Sequence, residues 1–68
     1  MIKSKIFIEC DSDYSKALDI VVSQANNFIL SNRVKKSDIL EYSTKVNTKV
    51  SDDGFTLYEV IVVVSLLK

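Results

Sequence analysis

Residues 51–67 read SDDGFTLYEVIVVVSLL, a polar turn leading into a run of β-branched and aliphatic residues. Asp52, Asp53 and Gly54 suit a three-residue hairpin loop with Gly54 in the left-handed conformation, where a missing Cβ removes the steric cost. The strand after the turn, residues 55–67, is apolar on both faces. Tyr58, Val60, Val62, Val64 and Leu66 fall on one, and Leu57, Ile61, Val63 and Leu67 on the other. A strand of this kind needs cover on both sides and belongs in the middle of a sheet.

Before the turn, residues 39–50 alternate with a period of two. Leu40, Tyr42, Thr44, Val46, Thr48 and Val50 face one way, and Glu41, Ser43, Lys45, Asn47 and Lys49 the other, which predicts a half-buried strand. Loop length follows from register: a three-residue loop pairs Val46 with Val60 and Tyr42 with Val64, whereas a two-residue loop sets the apolar faces out of phase. At the other end, residues 2–10 alternate as well, with Ile2, Ser4, Ile6, Ile8 and Cys10 opposite Lys3, Lys5, Phe7 and Glu9. Asp11, Ser12 and Asp13 then place capping side chains before a segment of period 3.6. Its stripe is Tyr14, Ala17, Leu18, Val21, Val22, Ala25, Phe28 and Ile29, and the helix should end near Ser31 and Asn32.

The expected fold is α+β: a single βαββ domain over residues 1–68, with a three-stranded antiparallel sheet of order 1-3-2 and the helix over the even-numbered face of the last strand. The other face has no element of this chain to cover it. Phe7, Ile39, Leu57, Ile61 and Val63 are expected there as an oligomer interface. Ile20 and Leu30 fall off the helix stripe and are candidates for a partner surface. Cys10, at a strand end, is expected to be a small buried residue.

At 68 residues a single core is marginal, and small domains usually add a disulfide, a metal or a partner. One cysteine and no histidine leave no intrachain disulfide and no usual zinc site. Self-association is the device left, and the 47% hydrophobic content points the same way. Nine basic residues balance nine acidic ones, so direct nucleic-acid binding is not expected. Tyr14, Phe28, Tyr42 and Tyr58 are also expected on core faces rather than as stacking platforms.

Glu9 and Asp11 interrupt the N-terminal apolar run before a signal-peptide core forms, and residues 60–67 are too short to span a membrane. A cytoplasmic protein is expected. Richness in Lys, Asn, Ser and Ile without proline is similar to the proteins of AT-rich Gram-positive bacteria and their phages.

Catalytic chemistry is not expected. No histidine base is present for a serine or cysteine nucleophile, no motif pairs the carboxylates, and one glycine cannot form a phosphate cradle. No metal and no cofactor is expected. The compact basic cluster Arg33, Lys35 and Lys36 lies on the connection after the helix. It reads as a solvated loop near the helix C-terminal dipole or, if symmetry gathers copies, as an anion site.

The opening Met1, Ile2, Lys3, Lys5, Ile6 and Phe7, then Asp38 with Tyr42 and Ser43, and Asp53, Gly54 and Tyr58, resemble the Cse-type sporulation-expressed small proteins of Gram-positive bacteria and their phage relatives. The likeness runs the length of the chain, with the acidic run after strand one interrupted by Ile8 and Cys10. It implies an accessory or host-modulating role. The leading expectation is a non-catalytic homo-oligomeric binding protein, phage or mobile-element encoded, that blocks or sequesters a host protein or a nucleotide-like anion. The βαββ order is also similar to that of dodecins, which implies as alternative a flavin-binding storage particle, although this chain has no tryptophan. A small structural protein of the spore or virion is a further alternative.

Overall fold

The computed structural model describes residues 1–67 and follows the expected order: β1 (Ile2–Asp11), α1 (Tyr14–Ser31), a short 3₁₀ turn (Lys36–Asp38), β2 (Ile39–Val50) and β3 (Thr56–Leu67). The three strands form one antiparallel sheet, β1-β3-β2, so this is a small α+β domain. The turn between β2 and β3 is closed by the Ser51 N–H donating to the Phe55 carbonyl at 2.8 Å and the Gly54 N–H donating to the Ser51 carbonyl at 2.9 Å. Gly54 sits at φ +85. Val46 pairs with Val60 and Tyr42 with Val64, which is the register a three-residue loop imposes.

The start of α1 is fixed by its capping side chains. The Asp13 carboxylate accepts from the Lys16 N–H at 3.3 Å, and Asp11 accepts from the Asp13 N–H at 2.9 Å. At the far end Asn32, the one buried polar residue among those described, donates from its side-chain amide to the Phe28 carbonyl at 2.7 Å and accepts from Lys3 Nζ at 2.9 Å. Arg33 follows at φ 52, the left-handed position that commonly ends a helix.

The core lies between α1 and the upper face of β3: Ala17, Val21 and Ala25 pack on Val60, Val62, Val64 and Leu66. Phe7 joins them. Its partner across the sheet is Val62, and opposed residues in an antiparallel pair share a face, so Phe7 points up into the helix rather than down. There its ring meets Phe28 edge-on, with centroids 5.8 Å apart, a geometry aromatic pairs favour. Ile39, opposite Leu66, also packs against this core. Phe7 and Ile39 are therefore core residues and not part of an interface on the lower face. Ile2, Ile6 and Ile8 take that place, opposite Leu67, Val63 and Ile61.

The helix packs on β3 and β1 and meets β2 only marginally. A helix is about 10 Å across and strands lie about 4.8 Å apart, so one helix roofs about two strands. Hence β2 is exposed on both faces rather than half buried, and Tyr42, Val46 and Val50 on its upper face remain in contact with solvent. Tyr42 lies outside the core for the same reason and Tyr14 because it stands at the exposed first position of α1, whereas Phe28 and Tyr58 are half buried. Tyr14 and Tyr58 still meet edge-on at 5.8 Å, and the Tyr42 hydroxyl reaches the Asn26 side chain at 3.5 Å.

The body measures 45 × 16 × 13 Å with a radius of gyration of 13.8 Å. A close-packed chain of this length has a radius of gyration of about 11 Å. Its surface is 4808 Å², against about 4300 Å² expected for its mass. The molecule is a long plate with one roofed face.

Candidate binding surfaces

The lower face of the plate is divided lengthwise. Along β1 and β3 it carries Ile2, Ile6 and Ile8, which are 62%, 59% and 56% exposed, and Leu67, which is 48% exposed. Beside Ile8 and Ile6 lie the half-buried Ile61 and Val63, and Leu57, also half buried, lies past Glu59 toward the turn. Within this stripe the two hydroxyls of Ser4 and Ser65, paired across the strands, hydrogen-bond to one another at 2.9 Å. Along β2 the same face is polar, because Glu41, Ser43, Lys45, Asn47 and Lys49 point down beside Ser65, Val63, Ile61, Glu59 and Leu57.

Toward the turn, Glu59 accepts from Asn47 Nδ2 at 3.3 Å and pairs with Lys49 Nζ at 3.3 Å. The Asn47 bond first, and then the bond and charge of Lys49, hold its carboxyl below the ordinary value of 4.5. Cys10, opposite Glu59, is exposed and free rather than buried, since β1 is an edge strand and its odd-numbered residues are the ones under the helix.

Of the sequence candidates, Leu57, Ile61 and Val63 do lie together on this lower face, and Phe7 and Ile39 do not. Ile20 is half buried and Leu30 is 72% exposed. Arg33, Lys35 and Lys36 are exposed on the connection between α1 and β2. Asp38 stands beside them, its carboxylate accepting from the Lys35 N–H at 3.2 Å, so the basic cluster carries an acidic neighbour.

Sequence reasoning missed a shallow open groove of about 530 Å³ between α1 and β1, lined by Lys5, Phe7, Gln24, Asn27, Phe28 and Ser31. Lys5 Nζ lies 5.3 Å from the Phe7 ring centroid and 5.6 Å from that of Phe28. The charge is thus held over two aromatic faces at the rim. The signal for this was the alternation itself, which puts Lys3, Lys5 and Phe7 on one side.

Among the described residues no group of three or more His, Cys, Asp or Glu could hold a metal ion, and no helix is long and apolar enough to cross a membrane. No protein-family model, curated protein or solved structure matches this chain.

Proposed function

We propose that the chain is a non-catalytic binding protein that works as a homo-oligomer. Its copies stack through the apolar stripe of the lower face, and the assembly blocks or sequesters a host component through the surfaces left outside, as a phage or mobile-element protein would. The observation that carries this reading is the stripe itself: three isoleucines of β1 and Leu67 of β3 held in water on the face opposite the core.

Three features support a second copy as its lid. The stripe takes two of the three strands of a plate 45 × 16 Å, about 500 Å², so two stacked copies cover about 1000 Å² between them, at the lower limit of specific interfaces. Its polar groups are paired with one another, Ser4 with Ser65 at 2.9 Å and, toward the turn, Glu59 with Asn47 and Lys49, as burial demands. The excess of surface and length over a close-packed chain is what a half-covered sheet produces. Outside the stack remain Leu30 with the half-buried Ile20 for a protein target, and Arg33, Lys35 and Lys36 for an anionic one, the latter gathered in copies by symmetry.

Methyl NMR of the unmodified protein with a soluble paramagnetic agent tests the reading. The methyl groups of Ile2, Ile6 and Ile8 should be protected while that of Leu30 broadens. Broadening of the isoleucines as strong as that of Leu30 means the stripe is wet, and the proposal fails. For the anionic target, reversal of charge at Arg33, Lys35 and Lys36 should abolish binding of a nucleoside monophosphate used as probe. Unchanged binding excludes that surface.

A further inference from the structure

The sheet has two free edges, and they are not alike. Edges left open pair with other chains, and proteins guard them with inward-pointing charge, proline or bulges. On β1 the guard is present: Lys3, Lys5 and Glu9 lie on the helix side of the strand, opposite Leu66, Val64 and Val60. Lys3 and Lys5 are tied to Asn32 and to the Phe7 and Phe28 rings. On β2 charge stands only on the lower face, at Glu41, Lys45 and Lys49, and the row on the helix side, from Tyr42 to Val50, carries none. This strand of 12 residues has no glycine or proline, and its irregularity is confined to its first residues, between Ile39 and Glu41.

The direction of the β2 amides follows from the turn. The Ser51 N–H donates across to Phe55, so Ser51 belongs to a pair whose amides point at each other. In an antiparallel ladder these pairs alternate. Counting back by twos, Lys49, Asn47, Lys45 and Ser43 turn their amides to β3, and Val50, Thr48, Val46, Thr44 and Tyr42 turn theirs outward to the open edge.

From this we infer that β2 pairs antiparallel with β2 of a second copy about a twofold axis at Val46, joining two sheets into one of six strands. In that register Val46 faces its own copy, Thr44 faces Thr48 and Tyr42 faces Val50. These valine, threonine and aromatic–β-branched pairs are of the kinds that stabilise neighbouring strands. On the lower face Lys45 meets Asn47, Lys49 meets Ser43 and Glu41 meets Ser51, so no like charges oppose. Centring on Lys45 would set that lysine against itself, and centring on Asn47 would set Lys45 against Lys49 twice. The Val46 register also lies clear of the irregularity at Ile39 and Glu41.

The helices stand over β1 and β3, so pairing leaves a trough about 10 Å wide between them. Tyr42, Val46 and Val50 of both copies floor it, a surface incomplete in one chain alone. This contact is separate from the stacking proposed above. It needs only the edge, and either contact can exist without the other.

Sedimentation of Val46→Lys, Val46→Glu and their equimolar mixture tests the pairing, each in the unmodified background and with Ile6→Lys. Each single variant loses the valine pair and puts like charges on the twofold axis, and should weaken edge association by about two- to thirtyfold, while the mixture should restore it as a one-to-one pair. Val46→Pro removes an outward amide and leaves the β3 ladder whole, so it should dissociate the edge with the circular dichroism of the fold retained. Masses unchanged by Val46→Lys and Val46→Pro in both backgrounds, or no recovery in the mixture, overturn the inference. Loss of mass on Ile6→Lys alone reports on stacking and leaves the Val46 result readable.

Discussion

Replacing Ile6 by lysine separates the fold from the assembly, because the two depend on this side chain to different degrees. Ile6 lies on the lower face, paired with Val63, and 59% of it is in contact with water. Full burial of an isoleucine is worth roughly 1.5–3 kcal/mol, so covering the part still wet contributes about 1–2 kcal/mol per copy. A twofold stack counts it twice, and Ile6→Lys therefore removes about 2–4 kcal/mol of association free energy. That weakens the stack by about thirty-fold to several hundred-fold, at about tenfold per 1.4 kcal/mol. The folded single chain loses little, since a lysine stem can lie along the sheet with its charge in water. Sedimentation equilibrium gives the dissociation constant, and thermal unfolding of the dilute protein gives the stability of the single chain. An unchanged dissociation constant with an unchanged unfolding temperature refutes the reasoning, and so does unfolding of the single chain at a wild-type dissociation constant.

Phe7→Ala empties the space under Phe28 and should cost about 3–5 kcal/mol, enough to unfold a domain this small in a urea titration. Gly54→Ala should cost about 1 kcal/mol through its left-handed φ alone, because a Cβ at Gly54 meets nothing within 4 Å; a neutral result in the same titration contradicts the turn. Glu59 has a folded pKa below its ordinary value. Its contribution to stability is therefore present above that value and is lost as pH falls through the lowered one. Glu59→Gln should flatten this acid limb in a series of unfolding curves from neutral pH downward, and an unchanged limb would remove Glu59 from the account.

Much of the architecture was legible because each signal was local. Asp13 before a 3.6-residue stripe marked the helix start, Asp52-Asp53-Gly54 fixed the loop, and loop length fixed the pairing of Val46 with Val60. The doubly apolar β3 placed itself in the centre. What alternation could not say is which side of β1 looks up. It sorts Ile2, Ile6 and Ile8 from Phe7, but the choice between them is made by fit against α1, where one phenylalanine ring fills more space under Phe28 than a branched aliphatic does. Three isoleucines were thus left below and Phe7 went into the core, while Ile39 joined it because the register shift between Ile39 and Glu41 sets it opposite Leu66. The burial of β2 was illegible for a related reason: period two shows that a strand has an apolar face, not that one helix is wide enough to roof three strands. Likewise Cys10 followed its strand's parity to the open side.

Sealing of the lower face by another copy of the chain is tested most directly by the mass of the unmodified protein at micromolar concentration. Light scattering on the eluting peak should give a multiple of the 7.7 kDa chain that falls when Ile6 is replaced by lysine. A monodisperse peak at 7.7 kDa, stable on further dilution, would contradict it.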